Sequence, residues 1–362
     1  MRHATRTLLL FVLLLPIFHP VWAQPARAGQ VVEACAKNDN FNGVVLIARK
    51  GKIDYLKYIG IANRHYDIPY SEQTVFHIFS LTKTFTTVLI LQLYEQGKIS
   101  LDSVIAAYYP EYKGEAARKV TIRNLLTYSS GRANKDISSP ELIHQAYDNT
   151  IWDLDSFITT FLSEPLIDTP GTKFNYNNGD FILLGKIIEK IYGKPYEKVL
   201  DEQILKPLQL QHTGFLHHED IIKNIDEGYS ERDPPGKGVY MPTNVYIDNL
   251  YAAGAMYATP RDLLRFDQAL FGHKILKQAT VDTMLTAYPQ LGDVALGFWV
   301  YPKTFGKINT RFAERQGDGY GHSANWVHLV DKDIALFILS NTKSLEYLNT
   351  MREKVLSAYL GQ

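Results

Sequence analysis

The sequence predicts an α/β protein of the α+β kind: a largely antiparallel sheet from both chain ends, flanked by helices, with a mainly helical domain inserted between them. Three observations predict it. Strand-like apolar runs cluster at residues 42–59 and again from Leu296 to Leu339. Between Leu101 and about Tyr251 the apolar residues recur at helical spacing, interrupted by long loops. The run 85–94 is almost wholly apolar or Thr, with no strict alternation and no Gly or Pro before Gly97, as expected of a helix in an interior. The sheet domain is therefore assigned to residues 30–99 and 252–362, and the inserted helical domain to residues 100–251.

In chain order, residues 1–23 read as a secretory signal peptide. Arg2 and Arg6 give a basic start, Leu8 to Phe18 an apolar run too short to span a bilayer, and Val21-Trp22-Ala23 a small-residue cleavage site. This places the mature protein in the periplasm or outside the cell, with no membrane anchor once the leader is removed. Residues 42–48 and 52–59 form a hairpin about Arg49-Lys50-Gly51. The buried helix starts at Ser80 and stops near Gly97. A second helix covers residues 181–192, follows the Pro170-Gly171-Thr172 turn and is closed by Gly193. Thr259 and Pro260 open a helix through Leu270 as cap and first-turn residue. Strands return at 297–301, 326–330 and 334–339, and a last helix runs from about Leu345 to Leu360.

Composition narrows the function. With 362 residues, 46% of them hydrophobic, the chain can bury a large core. Its 38 basic and 38 acidic residues form no basic stripe, which argues against nucleic acid or an anionic membrane surface as partner. Cys35 is the only cysteine, so an internal disulfide and a thiolate zinc site are both excluded. His217-His218-Glu219-Asp220 is the one dense His and carboxylate cluster, and no H-E-x-x-H occurs. It reads as a solvated turn, so no metal and no cofactor is expected.

Ser80-Leu81-Thr82-Lys83 opens the buried helix. A spacing of three puts the hydroxyl and the amine on one face, beside the free N–H groups of the helix start. Together these make an activated nucleophile. The pattern alone is weak: Ser340-Asn341-Thr342-Lys343 repeats it. A lysine in apolar surroundings is disposed toward a lowered pKa and can take a proton. Tyr-x-Asn occurs at Tyr147, Tyr176 and Tyr347, and Tyr176 is favoured because it sits on a short loop between a Pro-Gly turn and a buried helix.

Phe79-Ser80-Leu81-Thr82-Lys83, the segment Leu125 to Gly131, Pro170 to Gly179, and Tyr320-Gly321-His322-Ser323 follow in the order and setting of the serine beta-lactamase-like family, which the chain resembles from about Phe41 to its end. That family includes class C beta-lactamases, penicillin-binding D-Ala-D-Ala carboxypeptidases, D-amino-acid peptidases and amidases, and esterases. Its third motif is Lys or His, then Ser or Thr, then Gly, on a strand near the C-terminus. His212-Thr213-Gly214 matches the letters but lies in the helical half. His322-Ser323-Ala324 lies in the expected place, with Ala324 for Gly and with Gly317, Gly319 and Gly321 as the preceding turn.

The resemblance implies Ser80 as nucleophile, Lys83 as proton relay and Tyr176 as the group exchanging protons with leaving atom and water. It further implies Asn178, His322, Ser323 and Asn325 as substrate-binding residues, with the backbone N–H groups of Ser80 and Asn325 forming the oxyanion site. Histidine at 322 weights esters and D-amino-acid amides or peptides above beta-lactams. The expected activity is a serine hydrolase acting through an acyl-enzyme on a small ester or D-amino-acid-type substrate. A beta-lactamase and a catalytically silent member binding peptidoglycan-like or acyl ligands are the alternatives. A Ser-His-Asp hydrolase of another fold ranks last, because no G-x-S-x-G is present.

Overall fold

Strands from the two chain ends meet in one antiparallel sheet. The computed structural model describes residues 23–232, 237–242 and 245–361, so the leader read at residues 1–23 lies, but for Ala23, outside the described residues. Strands β1 (Gly43–Arg49) and β2 (Lys52–Ile59) form the N-terminal hairpin. Lys50 and Gly51 turn it with φ of 47° and 73°, a pair of left-handed residues that matches the twist of the two strands. Near the other end, β3 (Trp299–Phe305), β4 (Ile308–Gly319), β5 (His322–Leu329) and β6 (Ile334–Ser340) form a meander. β6 then pairs with β1, from Gly43 opposite Ser340 to Arg49 opposite Ile334. The strand order is β3-β4-β5-β6-β1-β2.

Alternation along these strands serves two cores. Val45, Ile47, Phe312, Val327 and Ile338 face helices α1 (Ala23–Asn38) and α5 (Leu345–Leu360). Leu46, Trp326, Phe337 and Leu339 face the other way, toward α2 (Thr82–Glu95) and α4 (Pro260–Phe271). Phe85 of α2 stacks on Phe266 of α4 at 3.9 Å, and Phe266 in turn meets Trp326 at 5.9 Å. Helix α3 (Asn178–Tyr192) leads the central helical region, capped by the Asn177 side chain and ended by Gly193 at φ 65°. No helix among the described residues is long and apolar enough to cross a membrane.

One element departs from expectation. The run through Gly317 and Gly319 is strand, not turn: β4 continues to Gly319, and the reversal is Tyr320-Gly321, at φ 45° and 84°. Its central charged residues disguise a buried strand, because Glu314 and Arg315 are both paired inside. Glu314 meets Arg352 of α5, and Arg315 meets two tyrosines on the opposite face. β3 pairs with β4 only as far as Trp299 opposite Glu314. Residues 315–319 therefore keep one unpaired edge, and the turn that opens α2 comes down upon it.

Candidate active site

Ser80 sits in a tight turn, Phe79–Leu81, immediately before α2. Phe79 takes φ 43°, a left-handed conformation that costs a non-glycine residue of the order of 1 kcal/mol or more and lifts Ser80 out of the helix start. Lys83, one turn on, is fully buried. Its amine donates to Ser80 Oγ at 2.8 Å, Asn178 Oδ1 at 2.8 Å and the Ala253 carbonyl at 2.7 Å, which uses all three of its N–H bonds. Burial, the largest cause, and the Arg315 cation lower its pKa to about 8, against the opposing pull of Tyr176.

Tyr176 arrives from the loop before α3, where Asn134 donates to its carbonyl at 2.9 Å. Its hydroxyl donates to Ser80 Oγ at 2.7 Å and accepts from Arg315 Nη2 at 2.9 Å. Burial pushes this phenol up, but the charges of Arg315 and Lys83 and the hydrogen bonds outweigh it and bring the pKa down to about 8. Its ring stacks on Tyr128 at 4.7 Å. Of the other Tyr-x-Asn tyrosines, Tyr147 bonds Asp136, and Tyr347 on α5 bonds Asp39. The second S-x-x-K pair is not assembled: Ser340 donates to the Asn42 carbonyl, and Lys343 pairs with Glu231.

Ser80, Lys83, Tyr176 and Asn178 thus converge, and His322, Ser323 and Asn325 do not join them. His322 begins β5, an interior strand, and points behind Phe79. There its Nε2 meets Asp226 Oδ1 at 3.0 Å and its ring stacks on His77 at 4.5 Å. The Ser323 hydroxyl donates to Asp318. Asn325 lies on the α5 face, where its amide donates to Asn349 at 2.7 Å. β5 is paired with β4 and β6 on its two sides, so the Asn325 N–H belongs to the ladder and is not free to meet an oxyanion.

The strand that does meet Ser80 is β4, and the sequence reading missed it. Arg315, fully buried, places all three guanidinium nitrogens: Nε on the Ser80 carbonyl at 2.9 Å, Nη1 on Tyr128 at 2.7 Å and Nη2 on Tyr176. Two residues on, a Cβ on Gly317 would stand 2.2 Å from the Ile78 carbonyl and 3.1 Å from Ser80 N, so only glycine permits this approach. The Arg311 N–H and C=O both point toward β5. The β4–β5 register runs to Gly319 without a bulge, so 313, 315 and 317 point the same way and Asp318 turns its N–H and C=O to the free edge. The Asp318 N–H therefore lies on the free edge of the strand that packs against the Ser80 turn. The signal in the sequence was a basic residue two before a glycine, Arg315-Gln316-Gly317, hidden because neither of its first two residues fits the expected pattern.

A hollow of about 270 Å³ lies over these groups, walled by Phe79, Tyr147, Leu250 and Tyr320 with Asn178 and Asp318 at its edge. Among the described residues no cluster of three or more His, Cys, Asp or Glu side chains is placed to hold a metal ion. His217 instead bridges Glu197 and Asp248 at 2.9 and 3.0 Å.

The family model for Beta-lactamase matches residues 29–360. The teichoic acid D-alanine hydrolase of Staphylococcus aureus is 27% identical over 281 residues, covering 75% of this chain and 65% of that protein. The chain spans just under two thirds of the length of the curated relatives it matches, 66% and 65% for two of them. Among solved structures, the D-amino acid amidase of Ochrobactrum anthropi SV3 in complex with L-phenylalanine amide is 25% identical with a TM-score of 0.77, over 93% of this chain and 97% of that one. FmtA of Staphylococcus aureus, 22% identical with a TM-score of 0.76 over 93% and 90% of the chains, shares the fold.

Proposed function

The chain belongs to the Beta-lactamase family, and from that premise we propose that it is a serine hydrolase working through an acyl-enzyme on esters or D-amino-acid-type amides outside the cytoplasm. One observation carries the reading. A single hydroxyl, Ser80 Oγ, lies within hydrogen-bond reach of an amine and a phenol whose pKa values are both brought to about 8. Each of two partners is thus poised to take a proton near neutral pH, where ordinary lysine and tyrosine side chains are not.

In the proposed reaction Ser80 Oγ attacks the substrate carbonyl carbon while its proton passes to the Lys83–Tyr176 pair. The carbonyl oxygen becomes an oxyanion between the N–H groups of Ser80 and Asp318, donors typically worth a few kcal/mol of barrier. As the tetrahedral carbon collapses, the bond to the leaving oxygen or nitrogen breaks and Tyr176 returns the proton to that atom. Water, deprotonated by the same pair, then attacks the acyl-enzyme and regenerates Ser80. Asn178 holds Lys83 in place and borders the hollow where the acyl group would lie. No cofactor enters this sequence.

The names of the relatives favour D-alanyl and D-amino-acid substrates. A fluorophosphonate probe tests the reading. It should label Ser80 covalently, and Ser80→Ala should abolish labelling together with turnover of a p-nitrophenyl ester. A folded wild-type protein that is neither labelled nor active would instead be a silent ligand-binding member. Turnover of a cephalosporin much faster than of any ester would make it a beta-lactamase.

A further inference from the structure

Tyr147 heads the first of the three Tyr-x-Asn sequences and sits on a π-helical turn, His144–Asp148, a rare geometry that recurs at functional sites. Two hydrogen bonds fasten the turn from outside. The Ala146 carbonyl accepts from the Asn249 amide at 2.9 Å, and the Tyr147 carbonyl accepts from the Tyr246 N–H at 2.8 Å. The ring walls the hollow over Ser80, and the hydroxyl donates to Oδ2 of Asp136, a carboxylate almost without exposure.

Burying Asp136 is unfavourable by itself. Its other oxygen, Oδ1, is buried with no hydrogen-bond partner among the described residues, and a carboxylate in that state needs a cation nearby to offset its lost hydration. The cations that face it are Arg132 and Lys83, with Asp180 as a neighbour of like charge. Arg132 is already engaged by Asp180 at 3.0 Å. Lys135, before Asp136 in the chain, pairs with Glu164 at 2.5 Å, and His144 and Asp148 of the π-turn stand 3.9 Å from each other. Lys83 is the cation that remains.

A chain of side chains joins the two. Lys83 donates to Asn178 Oδ1 at 2.8 Å, the Asn178 amide acts as a donor toward the Tyr147 hydroxyl, and that hydroxyl donates to Asp136. Burial and the Asp136 charge keep the Tyr147 phenol protonated. With its proton directed at Asp136, its oxygen can only accept. It therefore takes the N–H side of the Asn178 amide and turns the carbonyl side toward Lys83.

The reaction is where this anion matters. When the Ser80 proton passes to Lys83, a buried ammonium forms beside the Arg315 guanidinium, which opposes it. Tyr176 and Asp136 favour that ammonium, and Tyr176 is itself half of the pair that shares the proton.

Resting on the hydrolase reading above, we infer that Asp136 and Tyr147 are positioning residues for the proton transfer: Asp136 is the fixed counter-charge of the proton on Lys83, and Tyr147 is the link that orients the Asn178 amide between them.

The test follows the rate of fluorophosphonate labelling of Ser80 from pH 5.5 to 9.5. In wild-type protein the rate should rise to a plateau with a midpoint near 8. Asp136→Asn removes the charge and keeps the shape, so Lys83 holds its proton less tightly. The midpoint should move to lower pH by about half a unit or more, and the plateau rate should fall about fivefold or more because the base is weaker. A merely structural role would lower stability and leave the midpoint in place. Tyr147→Phe keeps the ring in the wall and frees the Asn178 amide to turn. On the plateau it should lower kcat for a p-nitrophenyl ester about fivefold or more and change KM less than about threefold. An Asp136→Asn protein labelled with the wild-type midpoint overturns the inference and leaves the hydrolase intact. Should that variant fail to fold, wild-type kcat in Tyr147→Phe overturns it equally. Absence of labelling and of all ester turnover in wild-type protein would sink the hydrolase reading itself.

Discussion

Arg315 Nη2 and the Tyr176 hydroxyl meet at 2.9 Å, and this contact ties the free edge of the sheet to the proton path at Ser80. The guanidinium is one of the two charges that hold the phenol down near 8 against the effect of burial. Replacing it by methionine should let the Tyr176 pKa rise and leave the Ser80 carbonyl and the Tyr128 hydroxyl without a donor. Arg315→Met is expected to lower kcat/KM for an ester by about 100-fold or more and to move the pH midpoint to higher pH, and Arg315→Lys should retain part of the rate. A pH profile of each variant checks this. An unshifted midpoint in the methionine variant would remove Arg315 from the proton path.

The pH dependence of the wild-type protein has a definite sign. Lys83 and Tyr176 both hold a proton below about 8, and one of them must be free to accept the proton of Ser80. Activity should therefore rise with pH, level off above about 8, and fall about tenfold per unit well below it. Because the two groups share Ser80 and influence each other, the profile reports the pair rather than either residue. Rates measured from pH 5.5 to 9.5 with a non-ionising ester would show this limb. A flat profile over that range would assign the base to some other group.

Gly317 is required for space. Its Cβ would fall 2.2 Å from a backbone oxygen, that of Ile78, which no side-chain rotation can relieve. Gly317→Ala must push β4 away from the Ser80 turn, widening the gap between the Ser80 and Asp318 N–H groups. The expected outcome is a loss of about 100-fold or more in kcat/KM with a destabilisation of about 1–3 kcal/mol. Urea unfolding alongside ester kinetics separates the two effects. Near-normal kinetics would show that the oxyanion is held elsewhere.

What could be read from the sequence follows from distance along the chain. Ser80 and Lys83 are three residues apart across the turn into α2, and Tyr176 and Asn178 lie at the start of α3, so local spacing fixes the placement within each pair. The two-ended sheet was legible because β1, β2, β5 and β6 are apolar enough to announce themselves. β4 was not, since a strand carrying Glu314, Arg315, Gln316 and Asp318 looks like a surface turn until Arg352 and the tyrosines that receive these charges are known. With Gly317 and Gly319 at the end of β4 read as part of a turn, the third motif falls on β5 at His322, whereas the strand that meets the Ser80 turn carries Arg315 and Gly317.

His322 then needs another account, and Asp226 provides it. The carboxylate is nearly buried and has the imidazole at 3.0 Å and the Tyr70 hydroxyl at 3.3 Å as partners. Removing the ring strips a buried acid of its nearer partner and opens a cavity against His77. His322→Ala should cost about 2–5 kcal/mol of stability by urea unfolding. Fluorophosphonate labelling of Ser80 in the remaining folded protein should change less than fivefold. A collapse of labelling with stability intact would return His322 to the site.

Arg132 and Asp180 form the buried pair behind Tyr176 and Asn178, at 3.0 Å, and both are almost without exposure. Arg132 also donates to the Leu162 carbonyl, and its own carbonyl accepts from Asn175 and Asn177, so it fastens the loop before α3. Burial raises the Asp180 carboxyl to about 6, against the pull of Arg132 and Ser130. In the unfolded chain the same group titrates near 3.8. Between these values the native state binds the proton more tightly, so the stability this group contributes is fully present below about 4 and is lost as pH rises through 6. Asp180→Asn cannot titrate. The wild-type protein should therefore lose stability relative to that variant by the order of 3 kcal/mol from pH 4 to pH 7. Urea unfolding of both proteins across this range reads the difference directly. Parallel curves would mean that Arg132 keeps Asp180 ionised throughout and that the pair is held as a fixed ion pair at all these pH values.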